Sequence, residues 1–301
     1  MSGQLLNKYV WLVETIHRSG KITLKEIRER WQRSGMSDGL ELSPRTFHKW
    51  RVAVEELFGL IIENEGCGEY RYYIENADEL SKDNMSSWLF NNISVSNLLM
   101  ESLSIRHKVL LEDVPAGQDY MDPIITALKD DRMVRMTYKG FWREQTSTFD
   151  LAPYCLKMFH RRWYLVGQSR GYDKVMIYAL DRISDLEVLP EHFHYPDDFD
   201  PAAFFRDSYG IIVDSECDVE LVRLKMSSRQ AYYLRTLPLH HSQEEVMRTD
   251  QFSLFELSVR PTFDFRQALL SMGEDLEVLA PEWLREDIGT ALKLAAKRYL
   301  V

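Results

Sequence analysis

The chain has 301 residues, 45% hydrophobic and 28% charged, a length for two or three globular cores rather than one. Its formal net charge of −10 excludes wholesale coating of nucleic acid, which takes a basic protein, but leaves room for a local basic face. Cys67, Cys155 and Cys217 are scattered without a Cys-x-x-Cys pair, and no apolar run reaches membrane-spanning length. Reduced thiols and a cytoplasmic location are expected.

In chain order, Leu5, Tyr9, Leu12, Val13 and Ile16 fall at helical spacing over residues 4–18, and Gly20 ends that helix. Thr23 with Glu26 forms a capping box that opens a second helix to about Trp31. Ser43-Pro44 supplies the cap and first position of a third helix, which Gly59 stops. Phe47, Trp50, Val54, Leu57 and Phe58 share its apolar side; Arg45, His48, Lys49 and Val52 lie opposite. Leu60-Ile61-Ile62 and Tyr70 to Ile74 flank a glycine turn and read as a hairpin.

Three helices and a hairpin, with basic residues on the third helix, follow the plan of a winged helix-turn-helix over residues 1–75. Through Arg51, ten Lys or Arg stand against five Asp or Glu, so this segment carries +5 within an acidic chain. Phosphate contact needs such a concentration. Arg45, Thr46, His48, Lys49 and Arg51 are the expected contacts to double-stranded operator DNA; the plain alternative is a solvated helix face. Glu63, Glu65 and Glu69 on the presumed wing run against that reading.

Residues 76–119 read as a helical connector, with short helices at Trp88-Leu89-Phe90 and Val95 to Leu99, a strand at Lys108 to Glu112 and a turn over 113–117. It is the expected seat of a homodimer contact, or else simply the packing of a linker. A helix over residues 122–130 leads to strands at Met133 to Tyr138, Leu151 to Tyr154 and Val175 to Ile183. Phe159 to Gly167 is read as one further strand of this small antiparallel β unit. Alternation then sets His160, Arg162 and Tyr164 on one face, and Phe159, Arg161, Trp163 and Leu165 on an interior face. Guanidinium groups beside aromatic rings suit an anion carrying flat groups. Tyr138, His160, Arg161, Arg162, Trp163, Tyr164, Tyr178 and Arg182 are the candidate ligand residues. Each has a bland alternative: Trp163 and Leu165 as core, Tyr164 on a buried carbonyl, Arg182 in an ion pair with its neighbour Asp181.

Trp163-Tyr164-Leu165, with Pro153 before it and Asp181-Arg182-Ile183 after it, resembles the signature of the WYL-domain transcriptional regulators. The resemblance covers nearly the whole chain. It implies an α+β multidomain protein: a winged helix-turn-helix, a central Sm-like small β barrel (residues 120–200) and a C-terminal extension domain (201–301). It further implies that the barrel senses a nucleotide-type or single-stranded nucleic-acid effector. Residues 201–301 read independently as a strand from Asp218, a helix to Leu237, a hairpin about Asp250-Gln251, a helix from Phe265, a strand at Leu276 to Leu279 and a last helix after Pro281. That βαββαβ order with a closing helix suggests a ferredoxin-like sandwich, acting either as a packing module or in ligand contact through Arg229, Arg235, Arg260 or Arg266.

The function expected is a homodimeric, effector-responsive transcriptional regulator, a repressor, and not an enzyme. Two alternatives compete. One is a metal-dependent nuclease or nucleotide hydrolase built on His192, His194, Asp197, Asp198 and Asp200; the other is a nucleic-acid-binding scaffold that does not switch. No phosphate-loop or dinucleotide fingerprint is present, His240-His241-Ser242 lacks a nucleophile elbow, and no cofactor or resident metal is implied.

Overall fold

The first helix, α1 (Gly3–Ser19), buries Tyr9, Val10, Leu12, Val13 and Ile16 on one stripe. Gly20 ends it in the left-handed region, at φ +68°. In the computed structural model, which describes residues 3–37, 39–66, 70–81, 90, 93, 118–140 and 145–300, the chain divides into two units at residues 112 and 113. It is a mixed α/β protein with several sheets.

In the first unit, β1 (Ile22–Thr23) leads into α2 (Leu24–Arg33), and the capping box forms as expected. The Glu26 amide donates to the Thr23 hydroxyl at 3.3 Å, while the Thr23 amide donates to the Glu26 carboxylate at 2.9 Å. Helix α3 (Pro44–Phe58) is capped by Ser43, whose hydroxyl accepts from the Thr46 amide at 3.1 Å. It buries Phe47, Trp50, Val54 and Phe58, and Gly59 closes it at φ +66°. Trp31 and Trp50 meet edge-on at 5.1 Å, pinning α2 to α3. Strands β2 (Ile62–Asn64) and β3 (Arg71–Ile74) form the hairpin; β1 joins its far edge, giving the antiparallel order β1-β3-β2. The third strand was not expected, because two residues carry no alternation to read. Most of the connector readings lie outside the described residues; Phe90 is buried, with its ring 5.9 Å from Phe58.

The second unit opens on α4 (Met121–Lys129) and an antiparallel sheet of five strands. These are β4 (Arg132–Tyr138), β5 (Ser147–Phe159), β6 (Arg162–Ser169), β7 (Val175–Ala179) and β8 (Ile183–His192), in the order β7-β6-β5-β4-β8. Ile124 and Ala127 of α4 complete a core with Val134, Met136, Leu151, Leu165 and Leu180. Gly167 has no alternative here: a Cβ would stand 2.3 Å from the Ala152 carbonyl oxygen across the β5–β6 ladder.

One expectation is corrected. Phe159 to Gly167 is not a single strand. Strand β5 runs through Phe159, His160 and Arg161 make a two-residue turn at φ +46° and +63°, and β6 starts at Arg162. Phe159 therefore pairs with Arg162 and shares its face, leaving Leu156, Met158, Trp163 and Leu165 on the opposite one. Alternation carried through a turn inverts everything before it.

After α5 (Pro201–Phe205) come β9 (Glu220–Ser227), α6 (Ser228–Thr236), β10 (Glu244–Arg248), β11 (Phe252–Val259), α7 (Phe263–Ser271), β12 (Leu276–Ala280) and α8 (Glu282–Lys297). The sheet order is β10-β11-β9-β12, over a core that includes Val222, Leu224, Met226, Phe255, Leu257 and Phe265.

Ser43→Ala should lower the stability of the first unit by about 1 kcal/mol, the usual worth of an N-cap. An unchanged urea midpoint for that unit would contradict the assigned cap.

Candidate functional site

Arg45, His48 and Lys49 are exposed together on the outer side of α3. The other two expected DNA contacts are placed differently. The Thr46 hydroxyl lies 2.8 Å from that of Ser43, inside the cap. Arg51 turns back onto the hairpin: its guanidinium donates to the Ile62 carbonyl, lies 4.0 Å from the Glu63 carboxylate and sits 5.4 Å from the Tyr72 ring centre. Lys21 pairs with Glu65. Two of the three wing acids are thus partnered within the unit, and Glu69 lies outside the described residues.

In the second unit a cavity of about 890 Å³ opens between the tip of the β5–β6 hairpin and α7. Phe159, His160, Arg162 and Tyr164 form its hairpin wall. Tyr209, Ile211 and Ile212 form a second wall, and α7 contributes Phe263, Asp264, Gln267, Ala268 and Ser271. The Asp264 carboxylate holds these walls together. One oxygen accepts from the Ile211 and Ile212 amides at 2.9 and 3.2 Å; the other accepts from the Thr262 hydroxyl at 2.6 Å and the Phe265 amide at 3.0 Å. Gly210 lets the loop pass, since a Cβ there would lie 2.5 Å from Asp264 and 2.6 Å from the Phe159 ring. Tyr209 stacks edge-on against both Phe159 and Phe265, at 5.6 and 5.7 Å.

Arg162 is the cation on the wall. Its guanidinium pairs with Asp181 at 3.0 Å, a contact that crosses from β6 to the segment after β7. The second Asp181 oxygen is buried and makes no hydrogen bond among the described residues. Lys157, opposite Tyr164 on the same sheet face, is half-buried with its ammonium 3.8 Å above the Phe205 ring. Burial holds its pKa below the ordinary lysine value and pushes the neighbouring Cys155 thiol up to about 11.

The eight expected ligand residues therefore do not form one site. His160, Arg162 and Tyr164 converge on the cavity, and Arg161 is exposed at the turn. Trp163 packs into the sheet core. Tyr178 pairs with Leu165, which puts it on the Trp163 face, and its ring meets Tyr138 at 5.2 Å in a separate hollow. Arg182 lies 5.0 Å from the Tyr138 ring and donates to the Lys139 carbonyl. The C-terminal arginines stand apart: Arg235 pairs with Glu245, Arg266 with Asp287, Arg260 donates to the Cys217 carbonyl, and Arg229 is exposed. Sequence reasoning missed Tyr209 of the joining segment, and Gln267 and Ser271, whose contribution depends on how α7 faces the hairpin.

Residues 119–188 match the WYL domain family and residues 218–296 the WCX domain family. The chain thus carries a WYL domain followed by a WCX domain. Among solved structures it is similar to proteasome accessory factor B/C (PafBC) of Arthrobacter aurescens, at 19% identity and TM-score 0.39, over 98% of this chain and 47% of that one. The chain thus spans about half the length of that protein. It is also similar to a CRISPR Cas-related protein, at 14% identity and TM-score 0.41, over 84% of this chain and 71% of the other. No curated protein matches it. In these terms the cavity has one wall from the WYL domain, one from α7 of the WCX domain, and a third from the segment joining them.

His192 donates from Nδ1 to the Asp130 carbonyl at 2.9 Å, and His194 likewise to Tyr195 at 2.7 Å. Among the described residues no three His, Cys, Asp or Glu side chains converge as a metal site, and no helix is long and apolar enough to cross a membrane.

Next to the cavity residue Leu239, buried His240 bonds the Arg206 carbonyl through Nε2 at 2.8 Å and the Ser242 hydroxyl through Nδ1 at 2.7 Å. Burial depresses its pKa, so the folded state keeps it neutral while the unfolded chain takes up a proton near the ordinary value, roughly 6.5. Stability of the WYL–WCX unit should therefore fall as pH drops below that value. His240→Asn, though less stable at neutral pH, should lose less on acidification; equal losses in thermal melts of both proteins would contradict this.

Proposed function

We propose that the chain is a cytoplasmic, homodimeric transcriptional regulator whose WYL–WCX cavity senses a nucleotide-type or single-stranded nucleic-acid effector and shifts operator binding by the first domain. The observation that carries this reading is the cavity itself: a guanidinium at Arg162 and a histidine at His160, set among Phe159, Tyr164 and Tyr209. Cations hold phosphate and rings offer stacking faces. We read the first domain (1–75) as a winged helix-turn-helix with α3 as the recognition helix, because three helices precede an antiparallel hairpin and Arg45, His48 and Lys49 point outward together. We read residues 120–200 as an Sm-like barrel on the strand order β8-β4-β5-β6-β7 behind a leading helix. Residues 201–301 fit a ferredoxin-like sandwich on the order β10-β11-β9-β12. Residues 76–119 serve as the connector between them.

Regulation is by population shift: the effector binds one dimer geometry better than the other, with a coupling of about 1–3 kcal/mol. The sign proposed is repression, relieved by effector. The chain acts by binding rather than turnover.

Charge reversal at both Arg45 and Lys49 should weaken operator binding at least about tenfold and flatten its salt dependence in gel-shift titration. Unchanged affinity would remove α3 from the interface. Alanine at both His160 and Arg162 should abolish the effector response while leaving basal DNA affinity in place and the domain folded. A full response in that double variant would take the cavity out of the account.

A further inference from the structure

The hollow beneath Tyr138 and Tyr178 has features that the effector cavity does not use. It encloses about 350 Å³ at the other end of β6, where Ser169 rather than Arg162 lies at the rim. Across that eight-residue strand the two sites stand roughly 20 Å apart at the usual rise. Its floor is aromatic: the Tyr178 ring meets Tyr138 edge-on at 5.2 Å and Phe149 at 5.3 Å. Its rim is Tyr172, in the turn between β6 and β7.

Tyr172 is the informative residue. The residue is 63% exposed, yet its backbone is held on both sides. The Tyr172 amide donates to the Ser169 carbonyl at 3.0 Å, and the Gln168 side-chain amide donates to the Tyr172 carbonyl at 2.9 Å. Folding gains little from an exposed ring, whereas a ligand meets a stacking surface carried on a backbone that is already ordered. Beside it, Arg170 is exposed and, among the described residues, its side chain pairs with exposed Glu191 at 3.2 Å, a contact worth little in water. The Tyr178 hydroxyl, 3.0 Å from that of Ser169, is a polar group at the edge of the floor.

We infer that this hollow is a second ligand site of the WYL domain, an aromatic slot for one flat heteroaromatic ring carrying a phosphate. The volume suits a single base-sized ring. Tyr172 covers the outer face of the ring, Tyr138, Phe149 and Tyr178 receive its inner edge, and Arg170 takes the anion. A cationic guest, which such rings would otherwise accept, is disfavoured by the Arg170 charge. A free nucleoside monophosphate and the 5′-terminal nucleotide of a strand present the same chemistry.

The test uses full-length protein carrying His160→Ala and Arg162→Ala, so that the effector cavity is silent, and titrates AMP, adenosine and a 5′-phosphorylated oligothymidylate by calorimetry. Binding of AMP, of the oligonucleotide or of both is expected, and which one binds names the source. Adding Tyr172→Ala should weaken that binding about tenfold, the scale of one lost stacking contact. Arg170→Ala should weaken AMP while leaving adenosine unchanged, a discrimination that a merely structural role would not alter. No binding of either phosphate probe, or equal binding with and without Tyr172, overturns the inference. Because the background lacks the effector-cavity cation, this outcome is independent of whether that cavity senses anything.

Discussion

The second unit turns on one carboxylate. Asp264 accepts four hydrogen bonds, two from the Ile211 and Ile212 amides of the joining segment and two from its own turn at the start of α7. That segment is thereby drawn against the β5–β6 hairpin closely enough that Gly210 has no room for a Cβ. The cavity is the space left over when a WYL hairpin and a WCX helix are fastened at this point. Without Asp264 the two amides would lose their acceptor at about 1–3 kcal/mol each if left unsatisfied, and the third wall would no longer have a fixed distance from the other two.

Charge is handled by segregation. A chain of net −10 that is to meet an acidic polymer needs its cations gathered, and the stretch through Arg51 gathers +5. The hairpin acids Glu63 and Glu65, which would oppose this arrangement, are met by Arg51 and Lys21. Arg51 is spent in doing so, which is why it stands with the hairpin rather than with Arg45 and Lys49. A similar economy holds in the cavity. Asp181 orients the Arg162 guanidinium in advance, and the partial exposure of the pair keeps its own stabilisation small. On the proposed reading, an incoming phosphate would meet a cation already aimed.

Signals that act within a few residues were legible in the sequence. The Thr23–Glu26 box, the Ser43-Pro44 start and the Gly59 stop each satisfy helix ends locally, and all three appear in the structure. The Trp163-Tyr164-Leu165 signature with its flanks pointed to the WYL domain that matches residues 119–188. What failed to read depends on contacts distant in sequence or on a turn without its usual marker. His160-Arg161 adopts positive φ at two non-glycine residues, so nothing announced a turn, and Phe159 was assigned the wrong face. Asp181 pairs with Arg162, and only the folding of β7 back along β6 brings the two together. Gln267 and Ser271 lie on a helix of another domain, where no local pattern marks them.

Hydrogen–deuterium exchange on the full chain, with and without a short single-stranded oligonucleotide, tests the central claim most directly. Peptides covering residues 159–164 and 263–272 should gain protection together, since both line the same cavity. Protection of neither segment, or of the first unit alone, would contradict a sensor seated between the WYL hairpin and the WCX helix.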